Sequence, residues 1–266
     1  MQLELPPESY SELVEKEVYQ DILDFHEKCT YIIHESTSKA AVLHNFTDQK
    51  INSITGNQLP IWPNGQNQRI KMNGRDVPIS RGASCETFES REIDFLKVER
   101  LLSNFCSREN CYKRYYPSGG ALYPIEVFCC RLNSRVQNWP GECDVLHLLP
   151  YTKCYEPLPA ILGRQHLQNA IVPPALSDIG DPSIALVYVA FLPKNIGKYR
   201  YRGYRLSILE AGSMYMLANL AADHIGLRNR VWAGFCEHMV TLALGLHPSL
   251  FAPLCVTLLG GADESN

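Results

Sequence analysis

Along residues 14–32 apolar side chains recur at steps of three and four: Val14, Val18, Ile22, Phe25, Cys29 and Ile32. That spacing puts them on one face of a helix. Ser9 and Glu12 stand at capping-box separation ahead of the run, with Pro7 before them, so the helix is expected to start there and to reach about His34. Its outer side carries Glu15, Glu17, Asp21 and Glu27. Such a helix packs on the main domain or on a partner. The periodicity then fades. Residues 45–80 are dominated by Asn, Gln, Gly and Pro, with NGQNQ at 64–68, and read as an irregular segment with short strands. Ile51, Ile54, Leu59, Ile61 and Trp62 supply apolar anchors, which favours an ordered cover over a linker.

From about residue 90 the pattern returns and alternates in type. Asp94 can cap a helix whose inner side holds Phe95, Val98, Leu101, Leu102 and Phe105. Strands are expected at 125–132 and 145–149, and a short helix at 160–171. Residues 184–192 form a nearly unbroken apolar run of strand length, the pattern of a central strand buried on both faces. A long, largely apolar helix is expected over 207–225 with Gly212 inside it, suited to a core or a subunit interface. A strand near 230–235, a helix at 237–246 and a strand at 254–259 complete the order. Strands and helices mix without a strict βαβ rhythm, which points to an α+β fold with a mainly antiparallel central sheet. The chain divides on this reading into an N-terminal helix and covering segment, 1–78, and a main domain, 79–266.

Composition narrows the function. A chain of 266 residues, 45% hydrophobic and 20% charged, can bury a sizeable core. A net charge of -3 gives no field that would favour nucleic acid. The longest apolar runs, such as 184–193, fall short of the ~20 residues that a spanning helix needs, so no membrane partner is expected. The opening MQLELPPESY lacks a positive and then apolar signal region, and no secretory signal is expected. Ten cysteines are irregularly spaced without a CxxC pair, and Cys129, Cys236 and Cys255 sit in apolar runs. Reduced thiols in a cytosolic chain are the simplest account, a disulfide scaffold the weaker one. Zinc spacing is absent, and the eight histidines are scattered, so no metal site is expected. Neither a Walker loop, a GxGxxG fingerprint nor a GxSxG elbow is present.

Three segments carry candidate chemistry. In YYPSGGALYPIE, residues 115–126, Gly119 and Gly120 let backbone approach a planar or phosphorylated ligand. Ser118 can donate a hydrogen bond, and the amides of Gly119, Gly120 and Ala121 can form a row of donors. A plain Gly-rich turn entering a strand leaves the same trace. In KYRYRGYR, residues 198–205, four cations and three tyrosines lie just before the long helix. A solvated basic loop is the ordinary outcome. The sharper reading has arginines binding phosphate at a helix start and Lys198 with Tyr199 acting as a proton-transfer pair. In RNRVWAGF, residues 228–235, with Gly260 and Gly261 later, small residues again suit a flat ligand, or merely a strand end.

In this order these segments resemble the azoline dehydrogenases, a branch of the nitroreductase-like flavoproteins. YPSGGALYPIEVFCCRL is similar to the hallmark of that branch. KYRYRGYR with the following LEAGS, then NRVWAGF, resemble most the dehydrogenase subunit of the microcin-type thiazole/oxazole synthetase. The likeness covers roughly 80–261, with a looser match at Asp24-Phe25-His26-Glu27. It implies a homodimeric nitroreductase-like flavin fold with FMN between subunits. It also implies an ATP-dependent cyclodehydratase and a leader-peptide-binding subunit as partners, and a precursor peptide as substrate. Ser118, Gly119, Gly120 and Ala121 would lie against the flavin, Gly234 along its other side or in the facing subunit's site, and Lys198 and Tyr199 would be catalytic. The family's early Arg-Ser-x-Arg-x-Phe grip on the flavin phosphate is altered. Ser84 and Phe88 fit, but Glu86 stands where the second arginine belongs, so Arg81 or the basic-loop residues Arg202 and Arg205 are expected to substitute. Two other readings share these residues: an NAD(P)H-dependent nitro or quinone reductase, and a non-catalytic scaffold of a cyclodehydratase complex.

Overall fold

The computed structural model describes residues 14–29, 79–109 and 111–262. The capping pair Ser9 and Glu12, the helix extension to His34 and the apolar anchors at 51–62 lie outside the described residues. The N-terminal helix, α1 (Lys16–Cys29), buries Val18 and Ile22 and belongs to one compact unit with residues 81–266.

The main unit then runs β1 (Ile93–Asp94), α2 (Phe95–Leu102), β2 (Ile125–Arg131), β3 (Val136–Gln137), β4 (Val145–Leu149), β5 (Cys154–Leu158), α3 (Arg164–Ile171), β6 (Ile184–Phe191), α4 (Leu192–Tyr199), α5 (Tyr201–His224), β7 (Arg228–Trp232), α6 (Glu237–Ala243) and β8 (Phe251–Gly260). Six strands make one sheet in the order β5-β4-β2-β6-β8-β7. Every neighbouring pair in it is antiparallel. A small parallel pair, β1 with β3, stands apart. Asp94 caps α2 as its position predicts, its side chain accepting from the Leu96 N–H at 3.0 Å.

Alternation in β6 explains the layers. Ile184, Leu186, Tyr188 and Ala190 face one core with α2 and α5. Ala185, Val187 and Val189 face the other with α3 and α6. All eight residues of the strand are buried, as the unbroken apolar run requires. Pro253 lies in β8 beside a register shift opposite Tyr188 and Val189, before the stretch that pairs with β7. Its missing N–H therefore leaves no gap in the β7 ladder.

Three expectations shift. The long helix starts at Tyr201, six residues early, and Lys198 and Tyr199 close a separate helix, α4, that the sequence shows only as a charged loop. Arg200 turns the chain between the two with φ 53°. Gly203 lets them touch, since a Cβ there would lie 2.6 Å from the Asn195 carbonyl oxygen. The edge strand β5 carries Glu156 and Pro157 and an exposed face, so it lacks the alternation that marks a strand. Among the described residues no helix is long and apolar enough to cross a membrane, and no disulfide forms among the ten cysteines.

Candidate active site

The Ser118–Tyr123 turn is built under strain. Gly119–Ala121 make a single 3-10 turn, and φ is 64° at Gly120, 54° at Ala121 and 50° at Tyr123. Left-handed backbone at two non-glycine residues costs free energy and persists only where the surroundings hold it. Here they do. Arg114 donates from its backbone to Tyr123 Oη at 3.0 Å and from its guanidinium to Tyr116 Oη at 2.6 Å. The same guanidinium lies over the Tyr123 ring, 4.4 Å from its centre. Lys194 on α4 donates to the Tyr123 carbonyl at 2.9 Å. Tyr116 packs edge-on to Phe105 and Tyr123. Both ends of the turn are thus clamped, and its middle is exposed. The row of donors is shorter than expected, because the Ala121 N–H bonds to the Ser118 carbonyl at 3.1 Å, leaving the Gly119 and Gly120 amides.

Lys198 and Tyr199 meet this turn. A Cβ added to Gly120 would lie 3.1 Å from Lys198 Nζ and closer still to Tyr199 Oη. Lys198 is exposed and Tyr199 half-buried, with the Lys198 nitrogen 5.2 Å from the centre of the Tyr199 ring. One turn later, Leu206 of α5 packs on Gly119, 2.9 Å from where its Cβ would stand. Two segments far apart in sequence therefore converge, and a side chain at position 120 would displace the ends of Lys198 and Tyr199. The rest of the basic stretch divides its duties. Arg200 pairs with Glu15, Tyr201 donates to Asp21, and Tyr204 Oη lies 2.9 Å from His26 Nδ1, so these residues dock α1 rather than a phosphate. Arg202 and Arg205 are exposed and make no ion pair or hydrogen bond among the described residues.

Beneath the turn lies a residue that sequence reasoning missed. Glu210 on α5 is 2% exposed. The Ser118 hydroxyl and the Ile125 amide face its carboxyl, yet neither carboxylate oxygen makes a hydrogen bond of ordinary geometry among the described residues. Burial pushes this carboxyl up to about 7, against the pull of Ser118, Arg114, Ile125 and Lys194. The signal was a lone Glu inside an apolar helical run, which surface amphipathicity does not explain.

The early segment forms a second opening. Ser84 lines a cavity of about 300 Å³ with Glu86, Glu89, Arg91, Arg228 and Gly261. Arg81 donates to the Ser84 hydroxyl. Arg230 donates to the carbonyls of Cys85 and Glu86 at 3.1 and 3.3 Å, pinning the loop to β7. Burial raises the Cys85 thiol, and Arg228 leads the groups that oppose it. Glu86 does stand at this cavity, as its position implies; within this chain Arg91 and Arg228 line it beside Ser84, and Arg202 and Arg205 do not. Phe88 is buried in the core. Gly234 sits apart within this chain. A Cβ there would strike the Trp232 ring at 2.8 Å and Leu176 at 2.9 Å, so packing alone requires glycine. Among the described residues no cluster of acidic, His or Cys side chains could hold a metal ion.

No protein-family model matches the chain. It is 41% identical over 178 residues to the microcin B17-processing protein McbC of Escherichia coli, a match over 66% of this chain and 65% of McbC, a little under two thirds of that relative's length. It superposes with a TM-score of 0.85 and 32% identity on a chain of the E. coli microcin synthetase McbBCD complex with truncated pro-MccB17 bound, over 99% of this chain and 100% of that one. A nitroreductase-like protein of Ralstonia eutropha shares the fold at 16% identity and a TM-score of 0.54, over 72% of this chain and 88% of its own.

Proposed function

The chain belongs to the family of the microcin-processing protein McbC, and from that premise we propose that it is an FMN-dependent dehydrogenase. It oxidises thiazolines and oxazolines in a ribosomally made peptide to thiazoles and oxazoles. The observation that carries this reading is the convergence of Lys198 and Tyr199 on the exposed backbone of Gly120. A flat ring laid on that backbone has a proton-accepting pair at its edge.

The residues fit FMN. The side-chain-free surface of Gly119 and Gly120, with Ser118 and Ala121, would face the flavin ring. Ser84, oriented by Arg81, would hold the phosphate end with Arg91 and Arg228, against the charge of Glu86 and Glu89 in the same cavity. When bound, FMN supplies the two-electron oxidation. The chain's own work is placement and proton transfer. Lys198 or Tyr199 takes the acidic proton at the α-carbon of the azoline, and the clamped turn keeps that proton in reach. Aromatisation of the ring makes the step downhill.

The chain works as a homodimer on this reading. Ile208, Leu209 and Met216 leave an apolar stripe exposed on α5, alongside Gly212, and a second copy would cover it. A cyclodehydratase driven by ATP and a leader-binding subunit supply the substrate; the similar solved chain comes from a synthetase complex with a precursor bound. Thiols without disulfides among the described residues support a cytoplasmic home.

The test is the absorption spectrum of the chain purified with its synthetase partners, followed by the mass of the peptide product. A flavin spectrum and a loss of about 2 Da per azoline, the change for two-electron aromatisation, are expected. Lys198→Ala with Tyr199→Phe should keep the flavin and lose at least ~100-fold in turnover, the scale of general acid–base catalysis. Full turnover in that double variant would remove the base pair from the mechanism. Flavin bleached by a nicotinamide without peptide would make the chain a reductase instead, and no flavin in any partner combination would make it a scaffold.

A further inference from the structure

Ser118 has one hydroxyl proton and two directions in which to use it. Its oxygen accepts the Tyr123 N–H at 2.9 Å, which fixes one side of the hydroxyl. Glu210 is the carboxyl beside that hydroxyl, and two later residues of the turn, Gly120 and Ala121, are exposed. Glu210 is buried, and among the described residues both its oxygens lack hydrogen-bond partners of ordinary geometry. A buried carboxylate in that position is costly unless it gains a proton or a donor.

We propose that Glu210 is a positioning residue that decides whether Ser118 donates its proton to the bound cofactor or to Glu210 itself. The protonated carboxyl donates to the Ser118 oxygen and leaves the hydroxyl hydrogen aimed at the ligand. The ionised carboxylate draws that hydrogen inward, and the ligand loses a donor. The one bond that changes is the Glu210 carboxyl O–H, whose proton is exchanged with solvent.

The surroundings keep both states within reach. Arg114 and Lys194 face the carboxyl and favour its charge. Tyr116 faces it from the segment before the turn. Glu126 on β2 lies 3.7 Å from Lys194 and blunts that lysine's pull. Burial opposes them and brings ionisation to about neutral pH.

This rests on the flavin reading above. The experiment is FMN affinity from pH 5.5 to 8.5, by flavin fluorescence, with synthetase partners added where the chain alone does not retain FMN. Wild type should bind about five- to tenfold more weakly at the alkaline end, the loss of one hydrogen bond. Glu210→Gln, whose amide donates like the protonated acid, should bind tightly at every pH. Ser118→Ala should bind weakly at every pH. A wild-type affinity without this pH dependence, or one that Glu210→Gln leaves equally pH-dependent, overturns the proposal while the flavin reading stands. Absence of FMN binding in all combinations overturns both.

Discussion

The Ser118–Tyr123 turn and the Ser84 cavity are both openings suited to part of a ligand, and they are made of different material. The turn is backbone. Its shape comes from φ values of 64°, 54° and 50° and from the lack of a Cβ at Gly120. Side chains enter as clamps, from Arg114 and Lys194, at the rim, from Lys198 and Tyr199, and within it as the Ser118 hydroxyl over Glu210. The cavity is side chain. Ser84, Glu86, Glu89 and Arg91 come from one stretch and Arg228 from a distant strand, with both signs of charge, and Arg91 already pairs with Glu89 at 2.6 Å. Backbone sites tolerate almost no change in volume, whereas side-chain sites redistribute charge when one member is lost.

The contrast breaks first at Gly120. Alanine there meets Tyr199 Oη and Lys198 Nζ and must hold a positive φ. Left-handed strain of about 1 kcal/mol and the displaced catalytic pair act together. Gly120→Ala should lower turnover by at least ~100-fold, about 3 kcal/mol, while circular dichroism keeps the folded signal, because the residue is exposed and outside both cores. Normal turnover would mean that the turn yields and that its geometry is not the basis of the site.

This difference in material also explains what was legible. The turn is one contiguous run, so glycine spacing and the following strand exposed it in sequence. The burial of β6 on both faces and the Asp94 cap were equally local signals, and the antiparallel sheet followed from the order of elements. The convergence with Lys198 and Tyr199 could not be seen that way, because it depends on Arg200 turning the chain and Gly203 letting α4 reach α5. The same kink hid α4 inside a run of charges. The cavity was less legible still. Glu86 was recognised as a misfit, with Arg81 or the basic-loop residues Arg202 and Arg205 expected to compensate; Arg81 holds Ser84, Arg202 and Arg205 are exposed, and Arg228 reaches the cavity from a strand far along the chain. Glu210 left almost no trace, since a single acid in an apolar helix does not announce what lies over it.

Glu210 offers a break that needs no ligand. Its carboxyl ionises at about 7 in the fold, against an ordinary 4.5. The folded chain therefore binds one more proton than the unfolded chain between these values. The stability from this group is present below 4.5 and is lost as pH rises toward 7, by about 3 kcal/mol in all. Difference melts of wild type against Glu210→Gln should show the wild type losing ground across that window, and a constant gap above it. Parallel curves from pH 5 to 7 would mean that the carboxyl is ionised throughout, despite its burial. Because the group lies under the turn, this measurement separates strain in the backbone site from charge in the cavity.

The last contrast is between arginines. If the cavity holds the phosphate end of FMN, Arg228 supplies charge there and Arg205, exposed on α5, does not. A charge-assisted hydrogen bond contributes about 1.5–3 kcal/mol, so Arg228→Ala should weaken FMN binding by roughly 10- to 100-fold. Arg205→Ala should change it less than about twofold, as surface substitutions usually do. Riboflavin, which lacks the phosphate, is the control that makes the comparison sharp. Its affinity should be the same in wild type and Arg228→Ala, because the lost contact is to a group it does not have. Equal weakening of FMN and riboflavin would instead place the effect of Arg228 on the loop that Arg230 pins beside it. An effect of Arg205→Ala larger than that of Arg228→Ala would move the phosphate from the cavity to the start of α5, and with it the division between a backbone site for the ring and a side-chain site for the charge.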